Sequence, residues 1–286
     1  MWIEPGACLK TVLVTGGTGF VGRQIVKALL RQGHRVRVTA RPGRASSLEA
    51  WDRVEIIPTA DLFSESEAWW RTRLEDVEAV IHAAWYVAPG LYLDSPENIR
   101  CLEGSLRLAD AAIRAGVAHF VGVGTCFEYS LPNGRITETS PLGPMTLYAA
   151  AKAALYFAAR RRFETAGVAF SWARLFYLHG EGEHPARLFP TLHRKLSAGE
   201  GVSLSAGDKI RDFLDVEIAG ADIAGLVETG QTGVVNVCSG EPVTLKQIAE
   251  RIADLYGARD LLSFGSAQVH PRDPQAVAGV RNVARR

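Results

Sequence analysis

Between Thr11 and about Arg174, short runs of β-branched and apolar residues alternate with stretches in which apolar residues recur at helical spacing. The runs Thr11–Thr15, Arg35–Thr39, Val54–Ile57, Ala79–Ala83, Ala118–Val123 and Val168–Arg174 predict strands. Between the first two, Val21, Ile25, Val26, Leu29 and Leu30 share a helical face, and Gly33 supplies a C-cap. Ile99, Leu102, Leu106, Ala109 and Ile113 draw a second stripe, closed by Gly116. A third stripe, Leu147, Ala151, Leu155 and Ala158, lies beyond Pro144 and predicts a helix from about Thr146. Such alternation implies an α/β fold of the Rossmann type, a doubly wound parallel sheet with right-handed crossovers.

Beyond Arg174 the rhythm breaks. His179–Pro190 carries Gly, Pro, His and charge and reads as a long loop, Asp212–Val216 and Val234–Val237 as short strands, and Leu245–Tyr256 as an amphipathic helix. The expected organisation is a nucleotide-binding domain over 9–178, with 212–238 returning to it. A smaller, partly discontinuous C-terminal substrate lobe over 179–211 and 239–286 would leave a cleft between them.

Composition narrows the class without naming a chemistry. Hydrophobic residues are 47% and charged residues 22%, with a formal net charge of +1, so nothing points to bulk affinity for nucleic acid or a membrane surface. No run approaches the ~18 apolar residues of a membrane span, and no basic leader precedes an apolar run. Cys8, Cys101, Cys126 and Cys238 lack CxxC spacing and read as reduced thiols of a cytoplasmic protein. No His/Cys/carboxylate cluster at ligand spacing suggests a metal.

Chemistry enters at Thr15-Gly16-Gly17-Thr18-Gly19-Phe20-Val21-Gly22, between the first strand and its helix. Gly16, Gly19 and Gly22 allow a tight turn and close backbone approach to a pyrophosphate resting on the helix N-terminus. The bland alternative is a glycine turn serving strand–helix packing. Phe20, Val21, Leu62 and Ala83 are further expected cofactor contacts. NAD-binding folds usually place an acid after the second strand, but here the segment reads Thr39-Ala40-Arg41-Pro42-Gly43-Arg44. Two guanidiniums suit the 2′-phosphate of NADP(H), which is therefore favoured, with NAD(H) as the other possibility. Asp61 either hydrogen-bonds the adenine amino group or caps the next turn.

Tyr148 and Lys152 stand four apart and meet on one helical face. An ammonium beside a phenol is expected to lower its titration point from near 10, letting it pass a proton to an alkoxide as hydride arrives. Thr125 ends the fifth strand, at the edge where parallel sheets bind ligands, and a hydroxyl there would reach the same oxygen. Trp85 and Tyr86 follow the fourth strand and either wall the cleft or pack in the core. His179 and His184 lie in the loop after the sixth strand and stay outside the catalytic set.

With turn, threonine and YxxxK in order, the chain resembles the extended short-chain dehydrogenases/reductases. More narrowly, it is similar to the NAD-dependent epimerase/dehydratase family acting on nucleotide sugars. The resemblance spans nearly the whole chain and makes Thr125, Tyr148 and Lys152 the catalytic set. It also implies that Arg211, in Arg211-Asp212-Phe213-Leu214-Asp215-Val216, and Arg272, in His-Pro-Arg-Asp-Pro, contact the diphosphate of a nucleoside-diphosphate sugar. Trp85, Cys126 and Tyr177 join the expected substrate contacts. Where family dehydratases carry Asp-Glu after the catalytic threonine, this chain has Cys126-Phe127, which disfavours dehydration. Tyr177 replaces an asparagine usual before the first diphosphate contact, and Cys101 another usual three residues before Gly104. The reading that results is a 4-ketoreductase, against a 4-epimerase with tightly held NAD or a non-catalytic cofactor-sensing protein. A homodimer through the helices carrying Leu102–Ile113 and Tyr148–Phe163 is the family's habit.

Overall fold

The structure, a computed structural model, describes residues 9–44, 51–131, 134–265 and 274–284. Its strands are β1 (Thr11–Thr15), β2 (Arg35–Ala40), β3 (Val54–Pro58), β4 (Ala79–His82), β5 (His119–Thr125), β6 (Arg135–Ile136), β7 (Ala169–Leu175) and β8 (Tyr177–His179). The later ones are β9 (Val202–Leu204), β10 (Ile210–Asp215), β11 (Gly233–Val237), β12 (Pro242–Thr244), β13 (Leu262–Phe264) and β14 (Ala276–Gly279). The helices are α1 (Phe20–Arg31), α2 (Glu67–Arg73), α3 (Glu97–Arg114), α4 (Leu147–Ala166), α5 (Leu188–Ser197), α6 (Val216–Thr229) and α7 (Leu245–Asp254).

Seven parallel strands form the main sheet in the order β11-β7-β5-β4-β1-β2-β3. The order reverses between β1 and β4, which opens a crevice at their carboxyl ends, where ligands of such sheets bind. Interior strands buried on both faces explain the near-continuous apolar runs: β4 and β5 have every residue buried. One core cluster joins Val12, Val14, Ile25, Leu29, Ile223 and Val235 on one face. A second joins Leu13, Val80, Leu108, Leu155, Phe163 and Trp172 on the other. Beyond the sheet, Leu192, Leu196, Val202, Ala249 and Ile252 form a separate small core between α5 and α7.

Several elements differ from the sequence reading, each for a packing reason. Val216 begins α6, not the end of a strand, with Asp215 accepting the Glu217 amide at 2.7 Å as its cap. Gly220 within that helix lets α6 reach α1: a methyl there would stand 2.6 Å from the Gln24 carbonyl carbon. The expected loop 179–190 ends early, because Leu188 and Phe189 open α5 and Pro190 falls in its first turn, where proline is tolerated. The α4 stripe is also rotated. Lys152, Leu155, Tyr156, Ala159 and Phe163 are buried, whereas Ala158 is exposed. On α3, Ile99 is 43% exposed, and Asn98, Cys101, Ser105 and Leu108 face inward instead.

Candidate active site

At the crevice the β1–α1 turn is shaped by contact, not only by torsion. Gly16 adopts φ +73°, and a methyl on it would stand 2.7 Å from the Ala84 amide nitrogen. A methyl on Gly22 would stand 2.0 Å from the Gly16 carbonyl oxygen. The turn therefore presses against the end of β4 and leaves room for nothing larger than hydrogen. Gly19 is the N-cap of α1 without a side-chain cap, and the first turn carries no acid. The amides there are open to an anion and the helix dipole favours one. This uncapped terminus at the switch point fits the pyrophosphate of a dinucleotide, with Gly16, Gly19, Phe20, Val21 and Gly22 as its cradle.

Around the cradle, Ala83 donates its amide to the Thr15 carbonyl at 3.2 Å. Asp61 caps the turn Leu62–Ser64, accepting from the Phe63 amide at 3.2 Å and pairing with Arg100. Leu62 is half-buried against the second core cluster. Arg41 and Arg44 stand exposed just past β2, the Arg44 amide closing a turn on the Arg41 carbonyl at 3.0 Å.

Thr125, Tyr148 and Lys152 come together at the carboxyl end of β5. Thr146 caps α4 by accepting the Ala149 amide at 3.2 Å, and the Tyr148 amide donates to the Leu93 carbonyl at 2.8 Å. These contacts fix the helix start and aim Tyr148 into the crevice. The Thr125 hydroxyl accepts the Phe127 amide at 3.3 Å and lies near enough to the Tyr148 phenol to favour its ionised form. Lys152, 3% exposed, donates to the Val123 carbonyl at 2.7 Å and lies over the Trp85 ring, 3.9 Å from its centroid.

The electrostatics correct the simple picture of an ammonium lowering a phenol. Burial pushes the Tyr148 phenol above its ordinary value, the neighbouring Tyr92 adds to this, and the Thr125 hydroxyl opposes it. Burial brings the Lys152 ammonium down to about 7, opposed by Glu128 and Cys101. Lys152 thus sits at the edge of neutrality, while Tyr148 holds its proton firmly until a developing negative charge arrives.

Of the expected substrate contacts, Trp85 touches Tyr148 edge-on at 6.5 Å, and Tyr177 meets Phe127 and Phe213 at 6.0 and 5.8 Å. Cys126 is buried, and burial pushes its thiol up, which leaves it a neutral small hydrophobe. Arg211 is 2% exposed, donates to the carbonyls of Pro274 and Ile210 at 2.8 and 2.7 Å, and stacks over Tyr177. Arg272 lies outside the described residues. His179 stacks on Phe189 at 4.3 Å, and His184 accepts the Ala186 amide at 3.2 Å.

Other residues of the site were not read from the sequence. Glu128 accepts the Thr125 amide at 2.8 Å, the Trp172 indole at 3.0 Å and Arg174 Nε at 2.8 Å. Its signal was available, because Thr125 and Glu128 have the spacing of a capping box. Tyr92, 5.0 Å from Tyr148, and Asn98, bonded to Trp85, gave no such signal, because both act across an irregular loop. Among the described residues no cluster of three His, Cys, Asp or Glu could hold a metal, and no helix is long and apolar enough to cross a membrane.

The chain has recognisable relatives among known proteins. The chain is 23% identical over 275 residues to dTDP-6-deoxy-L-talose 4-dehydrogenase (NAD(+)) of Aggregatibacter actinomycetemcomitans, covering 94% of this chain and 99% of the relative. It is 30% identical to dTDP-glucose 4,6-dehydratase of Streptomyces griseus, over 86% of this chain and 79% of that one. Its fold matches UDP-N-acetylglucosamine 4-epimerase of Methanobrevibacter ruminantium M1, solved with UDP-N-acetylmuramic acid, with TM-score 0.84 and 23% identity over 96% and 90% of the two chains. A family model matches residues 12–237, and the chain belongs to the NAD dependent epimerase/dehydratase family.

Proposed function

We propose that the chain is an NAD(P)-dependent reductase of a 4-keto nucleoside-diphosphate sugar. The observation that carries this reading is the meeting of Thr125, Tyr148 and Lys152 at the carboxyl end of β5, in the sheet whose first strand leads into the uncapped glycine turn. The nicotinamide cofactor, when bound, supplies the hydride. Gly16, Gly19 and Gly22 hold its pyrophosphate, and Arg41 and Arg44 favour a 2′-phosphate. Thr125 orients the substrate oxygen, and Tyr148 gives that oxygen its proton at the phenol O–H. Lys152 places a positive charge nearby, which stabilises the phenolate that is left.

C4 as the reacting carbon is supported by the name of the Aggregatibacter relative, a 4-dehydrogenase of a dTDP-deoxysugar. Dehydration is disfavoured because Cys126 is a buried neutral thiol and Phe127 carries no acid or base. Glu128, the nearest carboxylate along the chain, is held by Arg174, Trp172 and the Thr125 amide. The substrate lobe of this reading is 179–211 with 239–286, Arg211 and Arg272 being its candidate contacts and Tyr177 joining them from the end of the nucleotide-binding domain. Exposed Ile99 on α3 and Phe157 on α4 support a homodimer through those helices, and a monomer in sedimentation would remove that reading.

A 4-epimerase uses the same Thr125, Tyr148 and Lys152 and differs in keeping its cofactor. The deciding experiment incubates protein stripped of nucleotide with dTDP- and UDP-linked 4-keto-6-deoxy sugars and NADPH or NADH. Stoichiometric loss of reduced cofactor supports the reductase. Interconversion of 4-epimeric UDP-hexoses with tightly retained NAD⁺ overturns it in favour of the epimerase. Cofactor binding without turnover of either substrate class leaves a sensor.

A further inference from the structure

Trp85 touches both members of the Tyr148–Lys152 pair. One indole face lies against the Lys152 ammonium, 3.9 Å from the ring centroid, and the ring meets Tyr148 edge-on at 6.5 Å. The indole is held in place from behind. Its Nε1–H donates to Asn98 Oδ1 at 2.8 Å. Asn98 is 0% exposed and is fixed by donating to the carbonyls of Tyr92 at 2.6 Å and Ser95 at 2.9 Å. Phe63 packs against the ring, T-shaped at 6.4 Å. A side chain so anchored presents its face at a set place.

We propose that Trp85 is a positioning residue for Lys152: its π face holds the ammonium at the Val123 carbonyl, so that the positive charge stands at a fixed point one helical turn from the Tyr148 phenol. The proposal rests on the reading of Tyr148 as the proton donor. An aromatic face attracts a cation through its quadrupole, and more strongly once water is excluded. Lys152 has lost nearly all its water, and a buried charge needs compensation. The nearby carboxylate of Glu128 cannot come forward to pair with it, being bound to Thr125, Trp172 and Arg174. The ring supplies the missing contact.

The titratable groups around the ammonium act in known directions. Burial opposes its charge; Glu128, from the turn after β5, and Cys101, from α3, favour it. His82, from β4, feels the ammonium in return but is held neutral first of all by its own burial. Tyr148 shares its helix. Removing the ring face while keeping the pocket dry therefore lowers the Lys152 titration further. Admitting water would raise it, so the choice of variant matters.

Trp85→Leu keeps an apolar wall and removes the face; Trp85→Phe keeps a smaller face without the Asn98 hydrogen bond. The first readout needs no turnover. In cofactor-free protein, the emission difference between wild type and Trp85→Phe should titrate near the Lys152 value of about 7 and lose that step in Lys152→Met. The second is the pH profile of kcat. Its alkaline limb should move down by about half to one pH unit in Trp85→Leu, and less in Trp85→Phe, with KM changing little. An alkaline limb that stays put in a folded Trp85→Leu overturns the proposal, as does an emission difference without the step. The emission titration decides the Trp85–Lys152 contact even if no carbonyl substrate is reduced. The expected titration in a protein with no redox activity would sink the functional reading alone.

Discussion

The Glu128 carboxylate and the Arg174 guanidinium pair at 2.8 Å with side chains 0% and 1% exposed, directly beneath Thr125. Space for this pair is made by β5: a methyl on Gly124 would lie 2.3 Å from Trp172 Nε1 and 2.4 Å from Glu128 Oε1. Arg174→Met would strand a buried carboxylate, and the expected loss of stability is about 3–5 kcal/mol. Urea unfolding checks this. The double variant Glu128→Met/Arg174→Met should recover part of the loss while leaving kcat low, because the Thr125 amide has lost its acceptor.

Tyr148→Phe removes the proton donor but not the ring that packs on Tyr92 and Trp85. Turnover should fall by ~10²–10⁴-fold, with cofactor affinity nearly unchanged by calorimetry. Thr125→Val should lower kcat too, since it removes the hydroxyl beside the phenol. If Tyr148→Phe turned over like wild type, another group would be the donor.

Arg41 and Arg44 are exposed in the turn after β2 and, among the described residues, hold no side-chain partner, so their joint replacement by alanine should leave stability within about 0.5 kcal/mol of wild type. NADPH affinity should fall by ~10–100-fold, the value of lost charge-assisted hydrogen bonds, while NADH affinity stays. An equal effect on both cofactors would remove the 2′-phosphate reading.

His82 gives a pH prediction of definite sign. It is 1% exposed between Thr15 Oγ1 and Ser105 Oγ, both at 2.7 Å, and burial brings its titration down from 6.5 to about 3. Between those values the unfolded chain binds the proton that the folded chain refuses. Stability should therefore decline on acidification from about pH 6.5, this group contributing a slope of up to ~1.4 kcal/mol per pH unit. His82→Gln should flatten that limb in chemical unfolding measured from pH 7 to 4.5, even if it lowers the neutral plateau.

How much the sequence disclosed depended on whether the physics was local. Strand–turn–helix at Thr11–Arg31 and the Tyr148–Lys152 spacing are written in neighbouring residues, and both were legible. The α6 helix was not, because its buried residues face both α1 and the sheet and leave no simple stripe. The electrostatic state of the site was not either. Whether Lys152 lowers the Tyr148 phenol depends on Val123 and Trp85, which come from other elements and draw the ammonium to themselves.

The embrace of α1 by α6 has a consequence for biogenesis. Ile25 and Leu29 share their core with Ala219, Ile223 and Val227, Arg31 pairs with Glu217 at 2.6 Å, and Lys10 donates to the Val227 carbonyl at 2.6 Å. The first βα unit off the ribosome therefore keeps an uncovered apolar face until some two hundred further residues have been made. During translation the nascent chain carries its phosphate turn on a helix that is still waiting for its lid, and a chaperone that shields that face would be serving the earliest part of the molecule on behalf of one of its latest.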